Sequence, residues 1–492
     1  MPHKVNLYDL LDIPKGATLE EIRRAYFDSA RRLHPDVNVE SGQTELFLQV
    51  KEAFEVLTDP KNREEYDKEL ATESTDPIDI YTQYSRASLS VLEEPQLIYT
   101  LFDISAGEKS KSLPTSSLNL CLVLDHSTSM QGVRLDTVKA SAVELIRQVR
   151  SEDLLSVVIF SDRAEVLIPA ERRPDRNLIE TNIQMMRAVG GTEIFQGLEA
   201  GFSEVCRNST RSLINHILLL TDGRTYGDED ACMKLADRAA AQGVRITGIG
   251  IGTDWNDVLL DELAARSGGS SFYVSRISDL RSFLKDKFDG LHQSYAERVT
   301  MNLQTETGVT LSSSFRLQPD PSILPESSSI RLGSIPKTSK LSILLEFTVQ
   351  PFSSDTQRLR IATGDISLVL PSAPTITHSV PILLSRVTSK DVSAELPPKR
   401  IFRALSQINL YRMQENARKE IANGKIQEAS LRLQHLATQL NSLGELELAH
   451  TAVVEAERIL QTHTISAEGE KRIKYGTRTF NLPAVTEGGK RL

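Results

Sequence analysis

Cysteine is scarce: the 492 residues include three, Cys121, Cys206 and Cys232, too few and too scattered for a disulfide framework or a zinc knuckle. Cys121 lies inside an apolar run and reads as a small core residue, and the composition suits a reducing cytosol. No apolar stretch approaches the ~20 residues needed to cross a bilayer. The first residues, MPHKVNLYDLL, lack a signal-peptide core and cleavage site, so the protein is expected to stay in the cytoplasm, where it is made. Basic charge is not in excess: 57 Lys and Arg face 66 Asp and Glu, for a net charge of −9, which argues against a general binder of nucleic acid or membrane surfaces. There is no Gly-x-Ser-x-Gly elbow, no Gly-x-x-x-x-Gly-Lys-Ser/Thr loop and no His-Glu-x-x-His helix. These absences weigh against common hydrolase, nucleotide-binding and zinc-protease chemistry, and no enzymatic activity is expected.

What is present is a chain long enough for three or four domains, with 40% hydrophobic and 25% charged residues, as in a globular protein. Near its start, Leu19, Ile22, Tyr26, Ala30 and Leu33 recur at helical spacing and predict one buried stripe. Arg23, Arg24, Arg31 and Arg32 decorate the rest of that helix. After a polar loop, Phe47, Val50, Phe54 and Leu57 repeat the pattern on a second helix. The loop carries His34-Pro35-Asp36, where Pro35 disfavours helix at the residue before it. The helix must therefore end near His34, which leaves His34 and Asp36 on a rigid turn.

Two antiparallel helices joined by His-Pro-Asp resemble a J-domain. Leu7–Leu11 resembles that family's first short helix, Ala53–Pro60 the end of its third, and Arg63–Asp67 its fourth. The resemblance covers about residues 5–70, with 1–70 taken as the domain and 71–77 as a linker. It implies a partner, the ATPase domain of a DnaK-type heat-shock chaperone, and stimulation of that chaperone's ATP hydrolysis. His34, Pro35, Asp36 and the basic helix bearing Arg23, Arg24, Arg31 and Arg32 would form the docking surface. No Gly/Phe-rich segment or repeated Cys-x-x-Cys module follows, so the part that selects a client must differ from that of the general DnaJ chaperones.

From residue 118 to 298, short continuous apolar runs alternate with amphipathic segments. Strands are predicted at Leu118–Leu124, Leu154–Phe160, Ile214–Leu220, Arg245–Ile251 and Ser271–Val274, and a closing helix from Asp279 to about Glu297. That order predicts a mostly parallel sheet covered on both faces. Ligands bind such sheets beyond the carboxyl ends of the strands. There the first strand leads into Asp125-His126-Ser127-Thr128-Ser129, another ends at Thr221-Asp222-Gly223, and Gly190-Gly191-Thr192 precedes a helix. Two carboxylates and three hydroxyls are hard oxygen donors suited to Mg²⁺, with Mn²⁺ or Ca²⁺ as substitutes.

The pattern Asp-x-Ser-x-Ser, then Thr, then Asp resembles the metal-ion-dependent adhesion site of von Willebrand factor A (VWA) domains, and the resemblance covers about residues 117–298. It implies that Ser127, Ser129 and Thr192 ligate the ion directly or nearly so, that Asp125 and Asp222 often act through water, and that an acidic side chain of a partner protein completes the coordination. His126 occupies a variable position and receives no role.

Around this unit, residues 78–116 read as β strands that pair with a later β-sandwich over 299–390, so that the A domain is inserted in or flanked by the sandwich. Integrin β chains resemble this layout. Residues 399–462 read as about three helices, with Ala429, Leu433, Leu436 and Leu440 on one face and Leu446, Ala449, Val453, Ala456 and Leu460 on another. The basic tail 463–492 is left unassigned. The whole is a multidomain α+β and α/β protein: a four-helix J-domain, a Rossmann-like VWA domain, a sandwich and C-terminal helices. The expected function is that of a co-chaperone adaptor. Alternatives are a regulatory scaffold working with a MoxR-type AAA+ ATPase or a kinase and phosphatase module, and, more weakly, a metal-dependent phosphoesterase.

Overall fold

The structure, a computed structural model, describes residues 7–11, 13, 17–33, 41–73, 77–107, 116–172, 175–210, 212–225, 227–390 and 397–479. The chain divides into two compact units, Met1–Gln83 and Tyr84–Leu492.

The first unit carries α1 (Leu7–Leu10), α2 (Leu19–Leu33), α3 (Ser41–Thr58) and α4 (Pro60–Glu73), followed by β1 (Ile78–Tyr84). A capping box starts α2: Thr18 Oγ1 accepts from Glu21 N at 3.3 Å while Glu21 Oε2 accepts from Thr18 N at 2.7 Å. The core gathers Tyr8, Leu11, Ile13, Ala17, Ile22, Val50, Ala53 and Leu57, and the Tyr26 and Phe54 rings stack at 4.0 Å. Leu19 departs from the expected stripe and is 40% exposed, because as the first residue of α2 it lies beside the cap, at the edge of the buried face. Arg63 ties α4 back across the bundle, donating from Nε to Tyr8 Oη at 3.0 Å and from Nη2 to the Ala17 carbonyl at 2.9 Å.

The second unit holds a doubly wound domain. Its strands are β4 (Ser117–Asp125), β5 (Leu154–Phe160), β6 (Ala164–Arg172), β7 (Leu213–Thr221), β8 (Arg245–Ile251) and β9 (Ser271–Val274); β2 (Ser88–Ser90) and β3 (Gln96–Ala106) precede them. The sheet order is β6-β5-β4-β7-β8-β9, parallel except for the antiparallel edge strand β6. Along β4, Leu118, Leu120, Leu122 and Leu124 face one side. There they pack with α5 (Val133–Gln148), α6 (Arg176–Met185) and α10 (Leu280–His292). Cys121 and Val123 face the other side, with α7 (Ile194–Arg207), α8 (Glu229–Gln242) and α9 (Asp257–Ser267). Strand β6 has no counterpart in the expectations: its apolar run is only Val166–Ile168, closed by Pro169, and of these only Ile168 is deeply buried in this edge strand.

The closing helix is shorter than expected. It ends at His292, and Ser294 begins β10 (Ser294–Thr305), which takes up pairing with β13 (Ser329–Pro336). His292 Nε2 sits 2.9 Å from Asp153 Oδ2 in a buried pair that fixes this turn. Further strands are β11 (Val309–Gln318), β12 (Ser322–Leu324), β14 (Lys340–Val349), β15 (Arg358–Leu370) and β16 (Ala373–Ser389). In one sheet of the sandwich β14 lies between β3 and β11, with β12 beyond; the other runs β13-β10-β15-β16-β2. Strand β3 pairs antiparallel with β14 from Ser105↔Lys340 to Gln96↔Val349, and β2 pairs with β16. Strands that precede the A domain in sequence therefore lie within both sheets.

Four helices end the described chain: α11 (Lys399–Ala422), α12 (Ile426–Ser442), α13 (Leu446–Thr462) and α14 (Ala467–Thr479). Ile401, Ala404 and Ile408 of α11 cover Leu101 and Leu344 on the outer face of the sandwich. On α12 the expected residues are buried. On α13 the buried stripe is Ala449, Ala452, Ala456 and Ile459, whereas Leu446, Val453 and Leu460 are exposed. Small alanines let α13 approach α12 closely, and that contact outweighs the larger apolar stripe. The tail, left unassigned from sequence, contributes α14, which docks on the A domain through buried charges. Lys474 Nζ lies 2.5 Å from Asp257 Oδ2 and 2.7 Å from Asp261 Oδ2, and Arg478 Nη1 lies 2.8 Å from Asp261 Oδ1.

Candidate functional site

The parallel strands deliver three loops to one edge of the sheet. Strand β4 ends at Asp125, buried within the last turn of strand pairing. Its Oδ1 accepts from Ser127 N at 2.8 Å, which turns the backbone back on itself, and its Oδ2 accepts from Thr221 Oγ1 at 2.6 Å, which ties the loop to the end of β7. Ser127 Oγ is 3.0 Å from Ser129 Oγ, and Ser129 Oγ donates to Asp222 Oδ1 at 2.6 Å. The third loop is pinned by Thr128, whose N and Oγ1 both donate to the Gly190 carbonyl, at 3.1 and 2.9 Å. Asp162 Oδ1 receives Gly191 N at 2.7 Å. Thr192 rests against the Asp222–Gly223 backbone: a Cβ on Gly223 would lie 2.7 Å from Thr192 Oγ1. Glycine is required there for this close approach.

Asp125, Ser127, Ser129, Thr192 and Asp222 thus come together at the carboxyl edge of the sheet. Asp125 and Asp222 are fully buried, and Ser129 is exposed. Burial pushes the Asp125 carboxyl above the usual carboxylate range, partly offset by the hydrogen bonds from Ser127 and Thr221. Two buried carboxylates beside three hydroxyls form a donor set that fits a hard divalent cation such as Mg²⁺. No thiol or imidazole joins it, since His126 directs Nδ1 to the Arg187 carbonyl at 2.9 Å. Among the described residues no three His, Cys, Asp or Glu side chains cluster as a metal site of another type.

Sequence reasoning missed Arg134, whose Nη1 lies 2.6 Å from Asp222 Oδ2. Its signal was a cation in the first turn of a helix, where the macrodipole disfavours one. In the first unit, Arg23 and Arg24 lie on exposed positions of α2. Arg31 and Arg32 belong to the same helix. His34, Pro35 and Asp36 lie outside the described residues.

Comparison with known proteins matches three parts of the chain. Residues 6–67 match the DnaJ domain model, residues 119–286 the von Willebrand factor type A domain, and residues 399–483 the Sll0103-like C-terminal α-helical domain. The uncharacterized protein sll0103 of Synechocystis sp. is 38% identical over 175 residues, 35% of this chain and 41% of that protein. The chaperone protein DnaJ of Dictyoglomus thermophilum is 43% identical over 68 residues, 14% of this chain and 17% of that protein. The chain therefore spans less than half the length of either relative. The solved von Willebrand factor type A protein of Catenulispora acidiphila is similar in fold, with a TM-score of 0.66 at 14% identity, over 82% of this chain and 96% of that one. The protein carries an N-terminal J-domain, a VWA domain of Rossmann-like fold and a C-terminal helical segment.

Proposed function

We propose that this protein is a co-chaperone adaptor. Its VWA domain binds a partner protein through a Mg²⁺ ion held by Ser127, Ser129 and Thr192, with Asp125 and Asp222 behind them. Its J-domain recruits a DnaK-type chaperone through His34, Pro35, Asp36 and the arginines of α2, and stimulates that chaperone's ATPase. The partner would thus be delivered to a chaperone cycle. The observation that carries this reading is the convergence of two buried carboxylates and three hydroxyls at one sheet edge, in a chain that also bears a DnaJ domain. Neutral hydroxyls withdraw little of the ion's charge, so it keeps its attraction for a further carboxylate. The reading is a binding role rather than an enzymatic one, and a cytoplasmic location. No helix among the described residues is long and apolar enough to cross a membrane.

The test is affinity capture with the full chain, wild type and Asp125→Ala, each in Mg²⁺ and in EDTA. A partner held through the ion is retained by the wild type in Mg²⁺ and lost in the other three conditions. Identical captured sets in all four would contradict the reading. Turnover of generic phosphate esters with Mg²⁺ or Mn²⁺ would favour the phosphoesterase alternative. Capture of a MoxR-type ATPase would favour the scaffold.

A further inference from the structure

Arg134 lies in the first turn of α5, immediately after the loop that carries Asp125, Ser127 and Ser129. A guanidinium there opposes the helix dipole, and here an aspartate outside the helix holds it. Arg134 Nη1 donates to Asp222 Oδ2 at 2.6 Å, while the other oxygen of Asp222 accepts from Ser129 Oγ at 2.6 Å. The same nitrogen lies 3.5 Å from the Ser129 carbonyl. On its far side the guanidinium packs over Gly252: a Cβ built there would lie 3.2 Å from Nη2. The Gly252 carbonyl accepts from Trp255 Nε1 at 2.9 Å. The Asp222 side chain is fully buried, whereas that of Arg134 is 38% exposed. One of the two buried carboxylates of the cation site is thus already neutralised by a side chain that has a path to solvent.

We propose that Arg134 is a resident counter-cation of this site. It balances Asp222 in the metal-free protein and sets a low affinity for the divalent ion, so that appreciable occupancy requires the negative charge of an acidic partner. The proposal rests on the cation-binding reading given above. At separations of about 5 Å, one positive charge weakens the binding of a divalent ion by about tenfold even at the dielectric constant of water. A partly buried setting enlarges the effect.

The experiment is a Mg²⁺ titration of the full chain by isothermal calorimetry, with thermal unfolding in EDTA alongside. Wild type, Arg134→Gln and Arg134→Lys are compared. The expected result is that Arg134→Gln binds Mg²⁺ at least about tenfold more tightly than wild type and melts at a lower temperature in EDTA, because Asp222 has lost its partner. Arg134→Lys keeps the charge and stays within about threefold of the wild-type affinity. Unchanged or weaker Mg²⁺ binding by Arg134→Gln overturns the counter-cation role while leaving the cation site standing. Absence of Mg²⁺ binding in all three proteins overturns the cation site itself, and the counter-cation with it.

Discussion

Replacing Lys474 with methionine should weaken the docking of α14 on the A domain while the rest of the chain stays folded. Lys474 is 3% exposed and bridges Asp257 and Asp261 at 2.5 and 2.7 Å. Methionine fills a similar volume without the charge, so packing loss is small and the electrostatic loss dominates. Breaking a buried ion pair from one side costs ~3–5 kcal/mol. Each aspartate here keeps a second partner, Arg418 for Asp257 at 3.2 Å and Arg478 for Asp261 at 2.8 Å. The net cost should therefore fall below that range, at ~2–3 kcal/mol.

The assay is built into the chain. Trp255 is its one tryptophan; it is fully buried, with Tyr475 of α14 at 5.6 Å and Lys471 Nζ over the indole at 5.1 Å. Undocking α14 exposes the indole and shifts its emission to the red. With a urea slope of ~1 kcal/mol/M, the lower end of the small-protein range, the fluorescence midpoint should fall by ~2–3 M in the variant. Midpoints that coincide within about 0.3 M would mean that the buried Lys474 charge does not hold α14 on the A domain.

Other outcomes follow from the same contacts. Burial alone would raise the carboxyls of Asp257 and Asp261, but Lys474, Arg418 and Arg478 outweigh it and hold both below the usual range. A depressed folded-state pKa stabilises above the unfolded value and is lost as pH falls, so α14 docking, read by Trp255 emission, should fail progressively below about pH 4. Unchanged emission down to pH 2 would contradict this. Gly197→Ala or Gly201→Ala should cost ~1–3 kcal/mol by overpacking, since each Cβ would meet Phe160 or Val123 at 2.6 Å; thermal melts of the variants check it. In the J-domain, Arg63→Ala removes the hydrogen bonds to Tyr8 and Ala17 and should cost ~1.5–3 kcal/mol of that unit's stability. Amide exchange in residues 7–17 would report the loss.

The site was legible in the sequence where its determinants are local. Asp125, Ser127 and Ser129 occupy one strand-to-helix loop, and Asp222 follows an unbroken apolar run, so strand ends and chemistry could be read together. Thr192 was placed by its motif. Arg134 was not, because its partner Asp222 is 88 residues away and joins it only once β4 and β7 pair. The sheet of the A domain was readable from buried runs, but β6 was not, since its apolar run is three residues long and ends at Pro169. The tail hid its role for a similar reason: Lys474 and Arg478 look like solvated charges until Asp257 and Asp261 are brought against them. On α13 two apolar stripes compete, and the choice of the alanine face depends on how closely α12 packs, which spacing does not encode. The helix expected to run to Glu297 stops at His292 because Ser294 onward finds a strand partner in β13, a contact remote in sequence.

In the proposed function, the amino-terminal unit drives a chaperone motor on behalf of whatever the A domain holds. Single-turnover ATP hydrolysis by a DnaK-type chaperone, measured with the full chain and with His34→Gln, tests it most directly. Acceleration by the wild-type chain and its loss in the variant are expected, with the helical content of the two proteins equal by circular dichroism. Hydrolysis unaffected by the wild-type chain, or accelerated equally by His34→Gln, would contradict it.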